Sequence, residues 1–193
     1  KNPRINSKGL DTSAIFGFMN SLLDLIRREN PEFMSVCFDK GGSKTRSEIF
    51  PEYKSNRLET PEAIKIAVPY IQKILNSMNI PVIEKEGFEA DDIIGTLAKK
   101  AEKEGYTIYM VTPDKDFAQL VTDNILIYRP ARMGNGIEIW GVNEVKNKFE
   151  IDNPNQVIDY LGMMGDSVDN IPGLPGVGDK TAKKFIKQYG SLE

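Results

Sequence analysis

The chain has 193 residues, 40% of them hydrophobic, and a net charge of -3, which allows one domain with a real core and a small appendage. With no histidine, Ser-His-Asp and Cys-His catalysis and His-based zinc sites are excluded, and the single cysteine, Cys37, excludes an internal disulfide. A pI of about 5.3 announces no nucleic-acid partner, and no apolar run approaches the roughly 18 residues of a membrane span.

The opening residues Lys1-Asn2-Pro3-Arg4 do not resemble a signal peptide. From Thr12 to Glu29, Ile15, Phe16, Met19, Leu22, Leu23 and Ile26 recur at helical spacing, predicting a core-facing amphipathic helix closed by Asn30-Pro31. Phe33 to Phe38 reads as a buried parallel strand ending at Asp39. Asp39 is then either an acid placed where open α/β sheets hold ligands or a plain loop carboxylate.

Residues 40 to 58 carry Lys40, Lys44, Arg46, Lys54 and Arg57 against only Glu48 and Glu52, with Phe50 and Tyr53 interleaved. A solvated face explains the charge; the mixture of bases and aromatics fits phosphate binding and base stacking better. Gly41-Gly42 and Pro51 predict that part of the segment is mobile or irregular without a ligand. Thr60 as N-cap and Pro61 at the first position open the next helix, which Pro69 should kink. Ile80 to Ile83 reads as a strand.

Next comes Gly87-Phe88-Glu89-Ala90-Asp91-Asp92, three carboxylates before the helical run Ile93, Ile94, Leu97, Ala98, Ala101. One acid there is an ordinary helix start, favoured by the dipole. Three repel one another unless something positive sits among them. Tyr106 to Thr112 predicts a strand, followed by Asp114 and Asp116 and a short helix with Phe117, Leu120 and Val121. Ile125 to Tyr128 and Ile137 to Trp140 read as strands joined by a turn at Met133-Gly134-Asn135-Gly136. The remainder is helical, around Val142 to Phe149 and from Asn153-Pro154 to Gly165-Asp166. Gly173-Leu174-Pro175-Gly176-Val177-Gly178 forms a glycine hairpin, and Asp179 caps a helix with Lys180, Lys183, Lys184 and Lys187. Strands alternating with helices and then a helical tail predict a three-layer α/β domain with a mostly parallel sheet and a helical appendage.

The acids Asp39, Glu89, Asp91, Asp92, Asp114, Asp116, Asp166 and Asp169 recur after strands, in a helix first turn or in a glycine-flanked loop. If they converge, the site is all oxygen, which suits two Mg²⁺ or Mn²⁺ ions and hydrolysis of a phosphodiester by activated water. Mutual repulsion should raise several of their pKa values in the absence of metal. Glycoside hydrolysis needs two acids rather than eight, and no P-loop is present. The glycine hairpin, backed by a lysine-bearing helix, can hold a phosphodiester without reading sequence.

The set Val-Cys-Phe-Asp39, Glu89-Ala-Asp91-Asp92, Thr112-Pro-Asp114-Lys-Asp116, Gly165-Asp166-Ser-Val-Asp169-Asn170 and Gly176-Val-Gly178-Asp-Lys180-Thr181-Ala resembles, in order and spacing, the 5′-nuclease (flap endonuclease) domain at the front of bacterial DNA polymerase I. The resemblance implies a PIN-like α/β core over 1–140, an arch at about 40–58, and a helix–three-turn–helix subdomain over 141–193. It places Glu89, Asp91, Asp92 and Asp39 at one metal, and Asp114, Asp116 and Asp169 at a second, with Asp166 held through water. Tyr53 would stack on the terminal base, while Lys54 and Arg57 act on the scissile phosphate. Lys44 and Arg46 would also meet DNA, as would Gly173, Gly176, Gly178, Lys180, Thr181, Lys183 and Lys184, with a K⁺ ion as an option at the hairpin. The implied substrates are DNA 5′ flaps, nicks and 5′ ends. The implied setting is a monomer in the bacterial cytoplasm at the nucleoid, away from any membrane, with a polymerase domain in the same parent chain. The family's first strand, with another metal aspartate, has no counterpart here, and the chain is expected to be a piece of that parent. Two rivals are a non-catalytic branched-DNA-binding module, separable by flap cleavage with Mg²⁺ against binding in EDTA, and a PIN-like ribonuclease. The latter leaves the hairpin and basic segment without a purpose.

Overall fold

The computed structural model describes residues 3–130 and 136–193. In chain order its elements are α1 (Ser13–Glu29), β1 (Val36–Phe38), α2 (Lys44–Ile49), α3 (Glu62–Ser77), β2 (Val82–Glu84) and α4 (Ala90–Lys103). They continue with β3 (Ile108–Val111), a 3₁₀ helix (Lys115–Leu120), β4 (Ile125–Pro130), β5 (Ile137–Trp140), α5 (Val142–Phe149), α6 (Gln156–Met164) and α7 (Asp179–Tyr189). The chain falls into two compact units that interleave in sequence, residues 1–40 with 58–85 and residues 41–57 with 86–193.

In the first unit the apolar stripe of α1 packs on α3, with Leu22, Ala67, Ile71 and Leu75 buried at the contact. Each large aliphatic side chain so buried contributes about 1.5–3 kcal/mol. Helix α3 runs through Pro69 unbroken, so the expected kink ends no element, and its N-cap is Pro61, one residue later than expected. Strands β1 and β2 pair in parallel, Val36 opposite Val82 and Phe38 opposite Glu84. Both are shorter than their apolar runs suggested.

The second unit holds a three-stranded sheet in the order β3-β4-β5, parallel between β3 and β4 and antiparallel between β4 and β5. The expected turn at 133–136 lies largely outside the described residues. Met110, Ile125 and Ile127 of the sheet share one core with Val145, Val157, Met163 and Ile186 of α5, α6 and α7. The C-terminal helices are thus built onto the sheet's core. The α/β class with mostly parallel pairing and a helical C-terminal part is as the sequence predicted.

Two glycines shape the loop after α6. A Cβ on Gly165, which has φ +66°, would lie 2.3 Å from the Gly173 nitrogen, and one on Gly173 would lie 2.4 Å from the Met164 oxygen. The loop therefore folds back against the end of α6 through backbone contact alone, tied by reciprocal hydrogen bonds between Asp166 and Ile171. Gly173, expected to face DNA, has a steric reason to be glycine.

Candidate active site

Glu89 is the N-cap of α4 and one of only two buried polar or charged side chains among the described residues. A buried carboxylate needs partners, and it has three. Lys54 Nζ lies 2.7 Å from its Oε2, Arg46 Nη1 lies 3.5 Å away, and the Tyr53 hydroxyl donates to it at 3.0 Å. Three residues on, Asp92 accepts both guanidinium nitrogens of Arg46, at 2.8 and 2.7 Å, and the Glu89 backbone N–H at 3.1 Å. That fork holds the Asp92 carboxyl below its usual range. Asp91, between them, is exposed.

The same basic segment reaches the loop after α6. Arg57 Nη2 pairs with Asp169 Oδ1, Lys54 Nζ lies 3.7 Å from Asp169 Oδ2, and the Tyr53 hydroxyl 3.4 Å from it. Lys54 therefore bridges Glu89 and Asp169, two acids eighty positions apart in sequence. Burial is the largest single influence and works against its charge, but the hydrogen bonds to Glu89 and Tyr53 and their negative charge together outweigh it, and its pKa is raised. Residues 51–56 are a run of turns, not a continuation of α2, with Lys54 at φ +58°. Tyr53, Lys54 and Arg57 still converge, through tertiary contacts in place of helical spacing.

At the carboxyl end of β3, Asp114 caps the 3₁₀ helix by accepting from the Asp116 backbone N–H at 2.9 Å. Asp116 is the anomaly. Its Oδ1 is buried with no hydrogen-bond partner, and its pKa is pushed up to about 6, first by burial and then by Asp114, against a lowering from Lys115, with Asp166 and Asp169 adding to the rise. Asp166 turns its own loop, accepting from the Val168 N–H at 2.8 Å. The expectation that several carboxyls would be raised needs correction. Asp92 falls, first because Arg46 forks onto it and last because Lys54 lies near, while Asp116 rises. Asp39 follows β1 in the first unit.

On the hairpin, Gly176 and Gly178 are open to solvent, as are Lys180 and Lys184, while Thr181 is half-buried. Lys183 is different. Its side chain is 18% exposed and stands 3.3 Å from both Glu150 and Asp179. Asp179 is not the cap of α7, a place taken by Gly178; its carboxylate accepts the Tyr160 hydroxyl at 2.6 Å. No motif in the sequence marked Tyr160.

Residues 1–150 match the family model for the 5′-3′ exonuclease N-terminal resolvase-like domain, and 152–193 that for the 5′-3′ exonuclease C-terminal SAM fold. The chain belongs to the 5′-3′ exonuclease family. It is 40% identical over 191 residues to a 5′-3′ exonuclease of Aquifex aeolicus, covering 99% of this chain and 64% of that protein. It is 43% identical over 188 residues to DNA polymerase I of Bacillus subtilis, covering 97% of this chain and 21% of the polymerase. The chain thus spans under two thirds of these family members. In fold it is similar to T5 5′-exonuclease with bound zinc, at TM-score 0.77 and 24% identity over 91% of this chain and 67% of that one. It is also similar to the catalytic core of Rad2 in complex with DNA, at TM-score 0.63 and 20% identity over 92% and 53%.

A divalent metal implied by the family fits the donor chemistry. The acids offer only hard oxygen, and the orphaned Asp116 Oδ1 is a buried acceptor awaiting a positive partner. As they stand, no group of three or more acidic or cysteine side chains among the described residues is arranged to hold an ion. Arg46, Lys54 and Arg57 pair with oxygens of Asp92, Glu89 and Asp169.

Proposed function

We propose that this chain is the 5′-nuclease part of a longer protein and hydrolyses phosphodiesters at DNA 5′ flaps, nicks and 5′ ends, in primer removal and repair. The observation that carries it is Asp116, whose buried Oδ1 has no hydrogen-bond partner and whose pKa is pushed up to about 6 by burial and by the charges of Asp114, Asp166 and Asp169. Such a group in a family of nucleases marks a site built for cations rather than for protein hydrogen bonds.

Glu89, Asp91, Asp92 and Asp39 would hold one ion, and Asp114, Asp116 and Asp169 another, with Asp166 beyond them. Mg²⁺ or Mn²⁺ suits these ligands, and a K⁺ ion suits the hairpin. Such ions supply charge stabilisation to the reacting phosphate when bound. The chain's own side chains do the rest. Lys54 and Arg57 neutralise the phosphate, and Tyr53, which lines a cavity of about 410 Å³ with Ser43, Lys44 and Glu89, offers a face to the terminal base. Lys44 lines the same cavity, while Arg46 orients Asp92 first and meets DNA second. Residues 141–193 grip the duplex backbone through Gly176, Gly178, Lys180, Thr181 and Lys184, and residues 1–140 form the nuclease core. The parent is a monomer in the bacterial cytoplasm, at the nucleoid, with a polymerase segment downstream; no described helix is long and apolar enough to cross a membrane.

The test is cleavage of a 5′-flap substrate by the full-length protein with Mg²⁺, and binding of the same substrate in EDTA. Cleavage that needs both the metal and Asp116 is the expected result. Binding with no metal-dependent cleavage would leave only a branched-DNA-binding module.

A further inference from the structure

The basic segment is fastened to the loop after α6 by a set of polar contacts that the chemistry above does not require. The Asn170 carboxamide donates to the Glu52 carbonyl at 2.8 Å and to Ser55 Oγ at 3.1 Å. From the other side, the Asn56 carboxamide donates to the Ser167 carbonyl at 2.8 Å. Between them the Lys54 backbone N–H donates to the Asp169 carbonyl at 2.8 Å. Lys54 and Asn170 both have φ +58°, a conformation that asparagine tolerates and lysine resists. The carboxamide bonds are exposed, and Val168 at the centre of the loop is 64% exposed, so little apolar surface holds the two segments together. Elements joined this way open at low cost.

We propose that Asn56 and Asn170 form a latch that keeps residues 50–57 closed over the carboxylates, with Lys54 and Arg57 serving as resident counter-ions until DNA phosphates draw them off. This rests on the functional reading above and adds its regulation. An oxygen of Glu89 at 2.7 Å from an ammonium, or of Asp169 paired with a guanidinium, cannot also hold a divalent ion without two like charges within about 4 Å. The closed segment and the metal therefore exclude each other. DNA removes the conflict, because its phosphates offer Lys54 and Arg57 other anions, and the freed carboxylates then accept metal. Apparent metal affinity scales with the fraction of time the latch is open, and DNA and metal bind with positive coupling.

The measurement is Mn²⁺ binding by electron paramagnetic resonance to the full-length protein without DNA. Asn170→Gly removes the carboxamide while keeping the left-handed backbone accessible, and Asn56→Ala removes the opposite one. Each should tighten Mn²⁺ binding about fivefold, the net strength of a typical hydrogen bond, and the pair more than either. A 5′-flap oligonucleotide should tighten binding to the parent protein and do so much less for the double variant. Lys54→Met removes a counter-ion without touching the latch and should also tighten Mn²⁺ binding. Unchanged or weaker Mn²⁺ binding in the double variant, or in Lys54→Met, overturns the proposal. Failure of the functional reading looks different, as absence of metal-dependent flap cleavage by the unaltered protein.

Discussion

Two sets of cations in this chain meet opposite fates. Arg46, Lys54 and Arg57 end on carboxylates of α4 and of the loop after α6, whereas Lys180, Lys184 and Lys187 of α7 stand exposed. In a sequence both sets read as basic patches. In the fold the first set pairs with the protein's own acids, and the second faces solvent. A count of positive residues measures neither role until their partners are known.

The largest effect expected from this contrast is at the acids themselves. Asp116→Ala should lower flap cleavage by about 10³-fold or more, the scale for loss of a principal electrostatic group, while binding in EDTA stays nearly unchanged. Loss of EDTA binding as well would erase the division between the catalytic set and the gripping set. Next, Lys54→Ala should lower single-turnover cleavage by about 10²-fold, since it removes charge from the phosphate's side of the site. Binding to duplex without a flap should hold. Cleavage at the parent rate would return the segment to a solvated face.

A third expectation uses pH. The Asp116 carboxyl has a folded pKa of about 6 against an ordinary 3.8. A raised carboxyl binds its proton more tightly in the folded state, so without metal the fold gains stability as pH falls from about 6 towards 4. Over that window the gain is at most roughly 3 kcal/mol, and it is lost as pH rises. Asp116→Asn in EDTA should therefore melt higher at neutral pH and lose that pH dependence. The same slope in variant and parent would remove Asp116 as the strained acid.

Much of the fold was legible because the apolar stripes of α1, α3 and α4 are set locally by spacing. The conformation of residues 50–57 was not, since Lys54 takes φ +58° with its N–H bonded to the carbonyl of Asp169, a residue from the other end of the chain. The acids of the site were legible as a pattern after strands and at a helix start. Their partners were not, because Arg46 on Asp92 and Lys54 on Glu89 are tertiary pairings with no local signature. Asn56 and Asn170 were missed for the same reason. The one hint was asparagine in a loop that asks for left-handed backbone. Gly173 shows the converse, a glycine in a ligand-like motif whose neighbours leave no space for a Cβ.

The smallest expected effect separates two adjacent lysines of α7. The sequence treats Lys183 and Lys184 alike, but Lys183 lies between Glu150 and Asp179 and Lys184 is exposed. Lys184→Ala should weaken duplex binding and reduce the slope of log affinity against log salt by about 0.9, the loss of one phosphate contact. Lys183→Ala should leave that slope unchanged. Its partners Glu150 and Asp179 are themselves more than half exposed, so the ion pairs are worth at most about 1 kcal/mol. That corresponds to a melting shift of about 2–4 °C in a chain of this size. Any binding loss in Lys183→Ala should be recovered at lower temperature, where α7 is again held against Tyr160 through Asp179. Equal salt-slope losses in the two variants would show that Lys183 leaves its carboxylates for DNA, placing it with the exposed lysines after all.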